Sequence, residues 1–267
     1  MCGILGQVDY LSTSAWNESK FKKALSLQKH RGPDDSGVVV GEDFIFGHRR
    51  LSIIDLDSHA KQPMTSSDGE VILVFNGEIY NYQELRKDLV KKGYSFSTKS
   101  DTEVLLYSYY EYGIECIQNF IGMFAFAIFD NRIQKTFIVR DRLGVKPLYY
   151  CKIKDTITFS SEIKSILELA DLDVALNIKA VSSYLSFRYP ILDDTFFDNV
   201  YSLPPAHYIE LTQDSFFINE YWSLVDSFKK QKEDKGEVFY LNKLQHLLES
   251  SVKYRMISDV PFGAFLA

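Results

Sequence analysis

The sequence predicts an α+β fold in which two β-sheets lie between layers of helices. Three observations support this prediction. The chain runs through strands, then helices, then strands, then a helix; short polar turns separate the second group of strands, as in an antiparallel meander; and the helical stretches carry apolar residues on one face. With 46% hydrophobic and 25% charged residues, the 267-residue chain has the balance of a globular protein, which excludes disorder as its main state.

The first third of the chain supplies strands and helices in turn. Residues 3–9 are predicted to form a buried strand, and residues 17–29 a helix with Phe21 and Leu25 on one face. The stretch 31–37 has the composition of a loop. Further elements are predicted as strands at 38–40, 44–47 and 70–75 and as a helix at 83–92, which ends before Gly93.

A second helix begins at Ser100, because Ser100 and Glu103 have the spacing of a capping box. Strands are then predicted at 123–130, 136–140, 148–152 and 156–160, and a helix at 162–169. We expect a boundary near 170–200, then a strand at 216–222, a helix at 238–256 and the start of a buried strand at 260–267. Since the chain stops inside that apolar stretch, we expect the natural protein to continue.

Charge and cysteine content limit the classes of partner. The net charge of −6 and the isoelectric point near 5.5 argue against nucleic acid or anionic lipid. The three cysteines lack the spacing of a zinc site or a disulfide framework, so no metal is expected. No apolar stretch reaches the ~18 residues of a membrane span, and the N-terminus lacks the basic region of a secretion signal. We expect a cytoplasmic protein with no nucleic-acid or membrane partner.

Cys2 is the most informative residue. Removal of Met1 would leave a first residue that carries both a thiol and a free α-amino group. The α-amine has an ordinary pKa of about 7.7–8.0 and the thiol one of about 8.5, so the amine can accept the thiol proton near neutral pH. This is the arrangement of an N-terminal nucleophile. The alternative is that Cys2 is merely a small residue after the initiator.

Asn76 and Gly77 follow the predicted strand 70–75 and would suit an oxyanion hole. An Asn side-chain NH₂ and a backbone N–H are both fixed donors, and loss of one such donor typically costs about 2.7–4 kcal/mol of transition-state stabilisation. The alternative is a hairpin turn, for which Asn-Gly is a common signal. Against that alternative, residues 79–82 lead into a helix and not into a matching strand.

Two charged residues would suit the ends of an amino acid. Arg50 has a planar guanidinium that matches a carboxylate; the alternative is a solvated basic pair with Arg49. Asp101 lies at a helix start, where it would hold a substrate ammonium or only complement the helix dipole.

Together, eight segments in this order resemble the glutamine-hydrolysing asparagine synthetases, and the similarity spans essentially the whole chain. The segments are Met1-Cys2-Gly3-Ile4, His30-Arg31-Gly32-Pro33-Asp34, Arg50-Leu51-Ser52-Ile53-Ile54-Asp55, Phe75-Asn76-Gly77-Glu78-Ile79-Tyr80-Asn81, Ser100-Asp101-Thr102-Glu103, Gly122-Met123-Phe124-Ala125-Phe126, Arg140-Asp141-Arg142-Leu143-Gly144-Val145-Lys146-Pro147-Leu148-Tyr149 and Ser160-Ser161-Glu162-Ile163-Lys164.

The resemblance implies a class II glutamine amidotransferase domain with the N-terminal-nucleophile fold, a four-layer αββα sandwich. Cys2 would be the nucleophile, and Asn76 with the Gly77 N–H would form the oxyanion hole. The residues that would bind glutamine are Arg50 at the α-carboxylate, the main chain around Ile53 and Ile54, and Glu78 and Asp101 at the α-ammonium. The glutaminase step would need no cofactor.

The last third resembles the start of an ATP-dependent synthetase domain, of the α/β ATP-pyrophosphatase type, in segments 203–208, 220–222 and 258–261. This resemblance implies a glutaminase domain at 1–185 and, at 186–267, a linker and an incomplete synthetase domain, with Leu266 near a nucleotide. The full-length protein would use ATP, Mg²⁺ and aspartate, and a homodimer is expected by analogy. Two alternatives stay open: an amidotransferase for another acceptor, as in polysaccharide biosynthesis, and a truncated, non-catalytic interaction module.

Overall fold

The computed structural model describes residues 1–11, 16–55, 57–170, 172–229, 233–261 and 263. Its strands are β1 (Gly3–Val8), β2 (Asp35–Val40), β3 (Phe44–Arg50), β4 (Met64–Thr65), β5 (Val71–Ile79), β6 (Gly122–Asp130), β7 (Lys135–Arg140), β8 (Tyr149–Ile153), β9 (Thr156–Ser160), β10 (Tyr201–Ser202), β11 (His207–Leu211) and β12 (Phe216–Glu220). Its α-helices are α1 (Glu18–Ser26), α2 (Tyr82–Lys91), α3 (Asp101–Tyr112), α4 (Ile163–Leu169), α5 (Ile178–Phe187), α6 (Leu224–Lys229) and α7 (Glu237–Arg255). Two 3₁₀ helices span Ser58–Ala60 and Gly113–Asn119.

The strands of the described residues form two six-stranded sheets with the orders β10-β8-β9-β1-β3-β2 and β12-β11-β7-β6-β5-β4. Apolar side chains such as Phe46 and Val74 fill the space between the sheets. On one outer face, α1 packs through Phe21. On the other, α3 packs through Leu105 against Phe75. The sequence-based prediction of two sheets between helix layers, in the order αββα, is therefore confirmed.

Strand β5 is longer than predicted, and this changes the interpretation of Asn76 and Gly77. All nine residues of β5 pair with β6, from Val71 opposite Asp130 to Ile79 opposite Gly122. Asn76 and Gly77 therefore lie inside a strand. Neither the predicted strand end at 75 nor the alternative of a hairpin turn is correct.

The two sheets are joined beside this stretch by His48 of β3. Its Nε2 donates a hydrogen bond to the carbonyl of Phe75 at 3.1 Å. Complete burial lowers the pKa of His48 to about 3. The ring is therefore neutral at physiological pH, and this bond fixes β3 and β5 where both strands run towards the same cavity.

The predicted capping box is only half present. Ser100 caps α3 by accepting a hydrogen bond from the Thr102 N–H. Glu103 does not return to the Ser100 N–H, because its carboxylate accepts hydrogen bonds from the backbone and hydroxyl groups of Ser97 and Thr98 at 2.6–2.9 Å. This closed network fixes the segment that precedes Asp101.

Three strands beyond residue 185 belong to the two sheets. β10 pairs with β8 of the first sheet, and β11 pairs with β7 of the second and also with β12. The predicted glutaminase domain at 1–185 does not include these three strands, although they pair within its two sheets. The long helix predicted at 238–256 is confirmed as α7, whereas α5 and α6 were not predicted. In the predicted strand 260–267, residues 262 and 264–267 lie outside the described residues.

Candidate active site

The predicted glutaminase residues converge on one cavity of about 260 Å³. Of the predicted site, the structure brings together Cys2, Arg50, Ile53, Ile54, Asn76, Gly77, Glu78 and Asp101. They come from the ends of β1 and β3, the loop after β3, the middle of β5 and the start of α3. Leu266, predicted near a nucleotide, lies outside the described residues.

The thiol of Cys2 is held between two main-chain groups of Leu51. The Leu51 N–H donates to Sγ at 3.4 Å, and the thiol faces the Leu51 carbonyl at 3.6 Å. Arg31 fixes the backbone of the same residue, since its Nε donates to the Cys2 carbonyl at 2.9 Å. Burial raises the pKa of the Cys2 thiol, while the hydrogen bond from Leu51 and the positive charges of the chain terminus and Lys146 lower it. The sulfur is positioned but still needs a base.

The chain terminus lies beside this sulfur. Met1 lines the cavity and is 54% exposed. Burial lowers the pKa of its α-amine, and the nearby cations Lys146 and Arg31 lower it further. The charge of Cys2 opposes this shift. The shift belongs to the amine of Met1, and removal of Met1 would free the α-amine of Cys2, on the residue that carries the sulfur.

Asn76 presents an unused amide at the cavity. Its side chain is 1% exposed, and neither Oδ1 nor Nδ2 has a hydrogen-bond partner within the described part of the chain. A buried polar group without a partner costs about 1–3 kcal/mol. Such a cost at a cavity wall is the pattern of a group whose partner arrives with a ligand.

Gly77 contributes its backbone at the same place. The N–H groups of Phe75 and Ile79, two residues to either side, donate to Gln62 Oε1 at 2.6 Å and to Asp101 Oδ2 at 3.0 Å. Alternate N–H groups of a strand face the same side, so the Gly77 N–H points to this edge as well. A Cβ at Gly77 would lie 2.3 Å from the Met123 carbonyl oxygen, so only glycine fits.

Arg50 is a buried cation without a carboxylate partner. It is 7% exposed; Nη1 donates to the Asp57 carbonyl at 3.0 Å, and Nη2 donates to the Asp55 carbonyl. Among the described residues it forms no ion pair. Arg49 instead donates to the Gly32 carbonyl at 3.0 Å and does not line the cavity. The alternative of a solvated basic pair is wrong, since Arg50 is buried and aimed at the site.

The carboxyl groups of Glu78 and Asp101 line the same cavity as Arg50. Burial, with the negative charge of Glu78 beside it, raises the pKa of Asp101 to about 7, and the hydrogen bond from the Ile79 N–H opposes this shift. Burial also raises the pKa of Glu78. Neither carboxylate forms an ion pair with a cation inside the described ranges. An ammonium group between them would relieve both costs.

Lys146 is a site residue that the sequence reasoning missed. It lines the cavity and is only 5% exposed. Burial lowers its pKa, while Glu78 and the Cys2 thiol oppose that shift. Its loop is fixed by Asp141, whose carboxylate accepts the Val145 and Lys146 N–H groups at 2.9 Å. The segment 140–149 was recognised as a family motif, but nothing in its spacing pointed its lysine at the cavity.

The part of the chain that the structure describes offers no candidate for a metal site or a membrane span. No group of three or more His, Cys, Asp or Glu side chains is arranged to hold a metal ion there. No helix in that part is both long and apolar enough to cross a bilayer.

Comparison with known proteins identifies the family. Residues 1–222 match the family model of the glutamine amidotransferase domain. The chain is 33% identical to an asparagine synthetase [glutamine-hydrolyzing] of Bacillus subtilis, over 100% of this chain and 43% of that protein. A second synthetase of B. subtilis is 37% identical over 100% of this chain and 42% of its own length. A putative one of Methanocaldococcus jannaschii is 37% identical over 100% of this chain and 54% of its length. The chain thus spans about half the length of these relatives.

Solved structures agree on the fold. The glutamine phosphoribosylpyrophosphate amidotransferase of B. subtilis, complexed with ADP and GMP, has a TM-score of 0.61 at 18% identity, over 82% of this chain and 49% of that chain. This likeness confirms the expected N-terminal-nucleophile sandwich. The family model over residues 1–222 favours an enzyme over the alternative of a non-catalytic module. The chain is therefore an enzyme of the glutamine amidotransferase family.

Proposed function

We propose that this chain hydrolyses the side-chain amide of glutamine through the thiol of Cys2. One observation carries the proposal: in the described part of the chain, three ionisable groups without an ion pair and one amide without a hydrogen bond line a single small cavity together with the Cys2 sulfur. They are the cation of Arg50, the carboxyl groups of Glu78 and Asp101, and the amide of Asn76. A free amino acid that carries a side-chain amide supplies a partner for each of them.

The first half of the reaction forms a thioester. After removal of Met1, the α-amine of Cys2 takes the thiol proton, and the sulfur attacks the amide carbon of glutamine. The carbonyl oxygen becomes an oxyanion that accepts hydrogen bonds from Asn76 Nδ2 and the Gly77 N–H. As the tetrahedral intermediate collapses, the C–N bond breaks and the amine returns its proton to the leaving ammonia.

The second half releases glutamate. Water adds to the γ-glutamyl thioester, with the same amine as base and the same two donors at the oxyanion. The C–S bond then breaks and regenerates the thiol. No cofactor takes part in either half.

Specificity for glutamine follows from its two charged ends. Arg50 binds the α-carboxylate, and Glu78 with Asp101 binds the α-ammonium. An amide that lacked these groups would leave the buried charges unpaired, which is the strongest form of discrimination available to a binding site.

We further propose that the ammonia serves an acceptor in a longer protein, since the relatives carry glutamine-hydrolysing asparagine synthetase names and are about twice as long. In that protein, ATP with Mg²⁺ would activate aspartate. The glutaminase steps described above use neither ATP nor Mg²⁺. The end of the family model at residue 222 and of β12 at Glu220 supports a domain boundary near 222. We also propose that the protein is cytoplasmic and forms a homodimer.

Glutamate and ammonia release from glutamine tests the central step. We expect equimolar release by the wild-type chain and a loss of at least about 10³-fold in rate for Cys2→Ala. Cys151→Ala is the matched control, because Cys151 is a buried cysteine outside the cavity, and it should keep kcat near the wild-type value. Equal rates for wild type and Cys2→Ala would refute the proposal.

A further inference from the structure

The segment after α7 returns to the wall of the glutamine cavity. Asp259 and the loop after β3 form a reciprocal pair of hydrogen bonds. The Asp55 N–H donates to Asp259 Oδ2 at 2.8 Å, and the Asp259 N–H donates to the Ile53 carbonyl at 3.1 Å. Residues some 200 positions apart are thereby joined at a loop that carries Ile53 and Ile54 of the cavity.

Asp55 is the centre of that loop. Its φ of 53° lies in the left-handed region, which a residue with a side chain occupies only when its surroundings hold it there. Its carboxylate accepts the Lys99 N–H at 2.6 Å and the Asp57 N–H at 3.1 Å. Its own carbonyl accepts the guanidinium of Arg50. The Asp55 carbonyl, together with the Asp57 carbonyl, therefore fixes the position of the Arg50 guanidinium.

The segment that carries Asp259 is anchored to the same face by other contacts. The Tyr254 hydroxyl donates to Glu84 Oε1 at 2.8 Å. The guanidinium of Arg255 lies 5.1 Å from the ring centre of Tyr80. Ile257 packs against the apolar cluster between β5 and α3. The end of α7 and the residues after it are thus docked beside the cavity, and Asp259 is the point at which they touch its loop.

We propose that Asp259 is a positioning residue for glutamine binding, which couples the segment after α7 to Arg50 through the Asp55 peptide. The inference rests on the proposed function of Arg50 as the carboxylate ligand. A displacement of residues 258–261 releases the Asp55 N–H and lets the loop leave its left-handed turn, so the guanidinium loses one of its two carbonyl acceptors. By thermodynamic reciprocity, occupation of Arg50 by a carboxylate in turn favours the docked segment.

The test compares Asp259→Ala with Asp259→Asn. The alanine variant removes the acceptor of the Asp55 N–H, and we expect KM for glutamine to rise about three- to tenfold, the usual net size for loss of one hydrogen bond. We expect kcat to stay within twofold, because Cys2 and Asn76 do not contact the segment. The Asn variant keeps an oxygen acceptor and should restore KM. Asp173→Ala, at an exposed aspartate away from the cavity, is the control.

Amide hydrogen exchange gives a readout that does not need activity. We expect faster exchange at residues 50–57 in Asp259→Ala than in wild type or Asp259→Asn, with unchanged exchange in the core strand β6. If both KM and this exchange are the same in Asp259→Ala as in wild type, the coupling is refuted, while glutaminase activity still supports the proposed function. If wild type hydrolyses no glutamine, the proposed function fails, and exchange alone decides the link from Asp259 to the loop.

Discussion

Replacement of Asn76 by alanine separates a catalytic role of this residue from a structural one. The side chain is buried yet has no hydrogen-bond partner within the described ranges. Truncation therefore breaks no bond in the free enzyme, and it removes an unsatisfied amide worth about 1–3 kcal/mol of desolvation cost. Loss of packing around the missing atoms acts in the opposite direction. We expect the free energy of unfolding to change by less than about 1 kcal/mol.

The effect on the reaction should be large. If Asn76 Nδ2 binds the oxyanion, its removal costs about 2.7–4 kcal/mol in the transition state, which is a fall of about 10²–10³ in kcat. Because the oxyanion forms only after attack, KM for glutamine should change by less than about threefold. The assay is steady-state glutamate release, with denaturant unfolding of the same preparations.

Asn81→Ala, at the residue that directly precedes α2, is the matched control. Asn81 is also buried, but its amide is fully used: Nδ2 donates to the Asn119 carbonyl, and Oδ1 accepts the Ile121 N–H, both at 2.9 Å. We expect this variant to lose about 1–3 kcal/mol of stability and to keep its kcat. If Asn76→Ala loses stability and retains kcat, the assignment of the oxyanion hole is refuted.

Three further perturbations have defined outcomes. The pKa of Asp101 is raised to about 7, so its carboxyl is mostly neutral at pH 6 and must ionise to hold an ammonium. KM for glutamine should therefore rise up to about tenfold per pH unit below 7. Asp101→Asn should raise KM and remove this pH dependence. The charge of Lys146 lowers the pKa of the Cys2 thiol; Lys146→Met should shift the pH profile of alkylation upward and lower kcat near pH 7. At Gly77, a Cβ would meet the Met123 carbonyl oxygen at 2.3 Å; Gly77→Ala should therefore lose both stability and kcat.

Each of these outcomes has a control or a contradicting result. A KM that is flat between pH 6 and 8 would show that Asp101 does not bind the α-ammonium. Lys179→Met, on the exposed part of α5, should leave the alkylation profile of Cys2 unchanged. An alkylation profile of Lys146→Met equal to that of wild type would show that Lys146 does not lower the pKa of the Cys2 thiol. Normal stability of Gly77→Ala would mean that β5 and β6 can separate without cost.

Local signals in the sequence single out several of the residues that line the cavity. Asn76 and Gly77 were singled out because a donor pair after an apolar run suits an oxyanion, and the order of strands and helices predicts the layers. The position of Asn76 inside β5 was missed, because pairing with β6 depends on residues almost 50 positions away. Glu103 was assigned to a cap by spacing alone, whereas nearer hydroxyl and amide groups of Ser97 and Thr98 compete for its carboxylate.

Other features depend on contacts that no local pattern records. Lys146 faces the cavity because Asp141 folds its loop, and the motif carries no sign of that direction. Segments 203–208 and 220–222 resemble the start of a synthetase domain, yet β10 pairs with β8, β11 with β7, and β12 with β11. The link between Asp259 and Asp55 joins positions about 200 residues apart and is visible only in the folded chain.

Covalent labelling of the mature chain tests the central claim most directly. A glutamine analogue with an electrophilic carbon in place of the amide carbon should react with one sulfur, and excess glutamine should protect it. Intact-mass and peptide analysis should find the label on a Cys2 that is the first residue of the chain, with Met1 absent. A label on Cys116 or Cys151, or full labelling and turnover by a chain that retains Met1, would contradict the claim that a terminal thiol with its own amine performs the reaction.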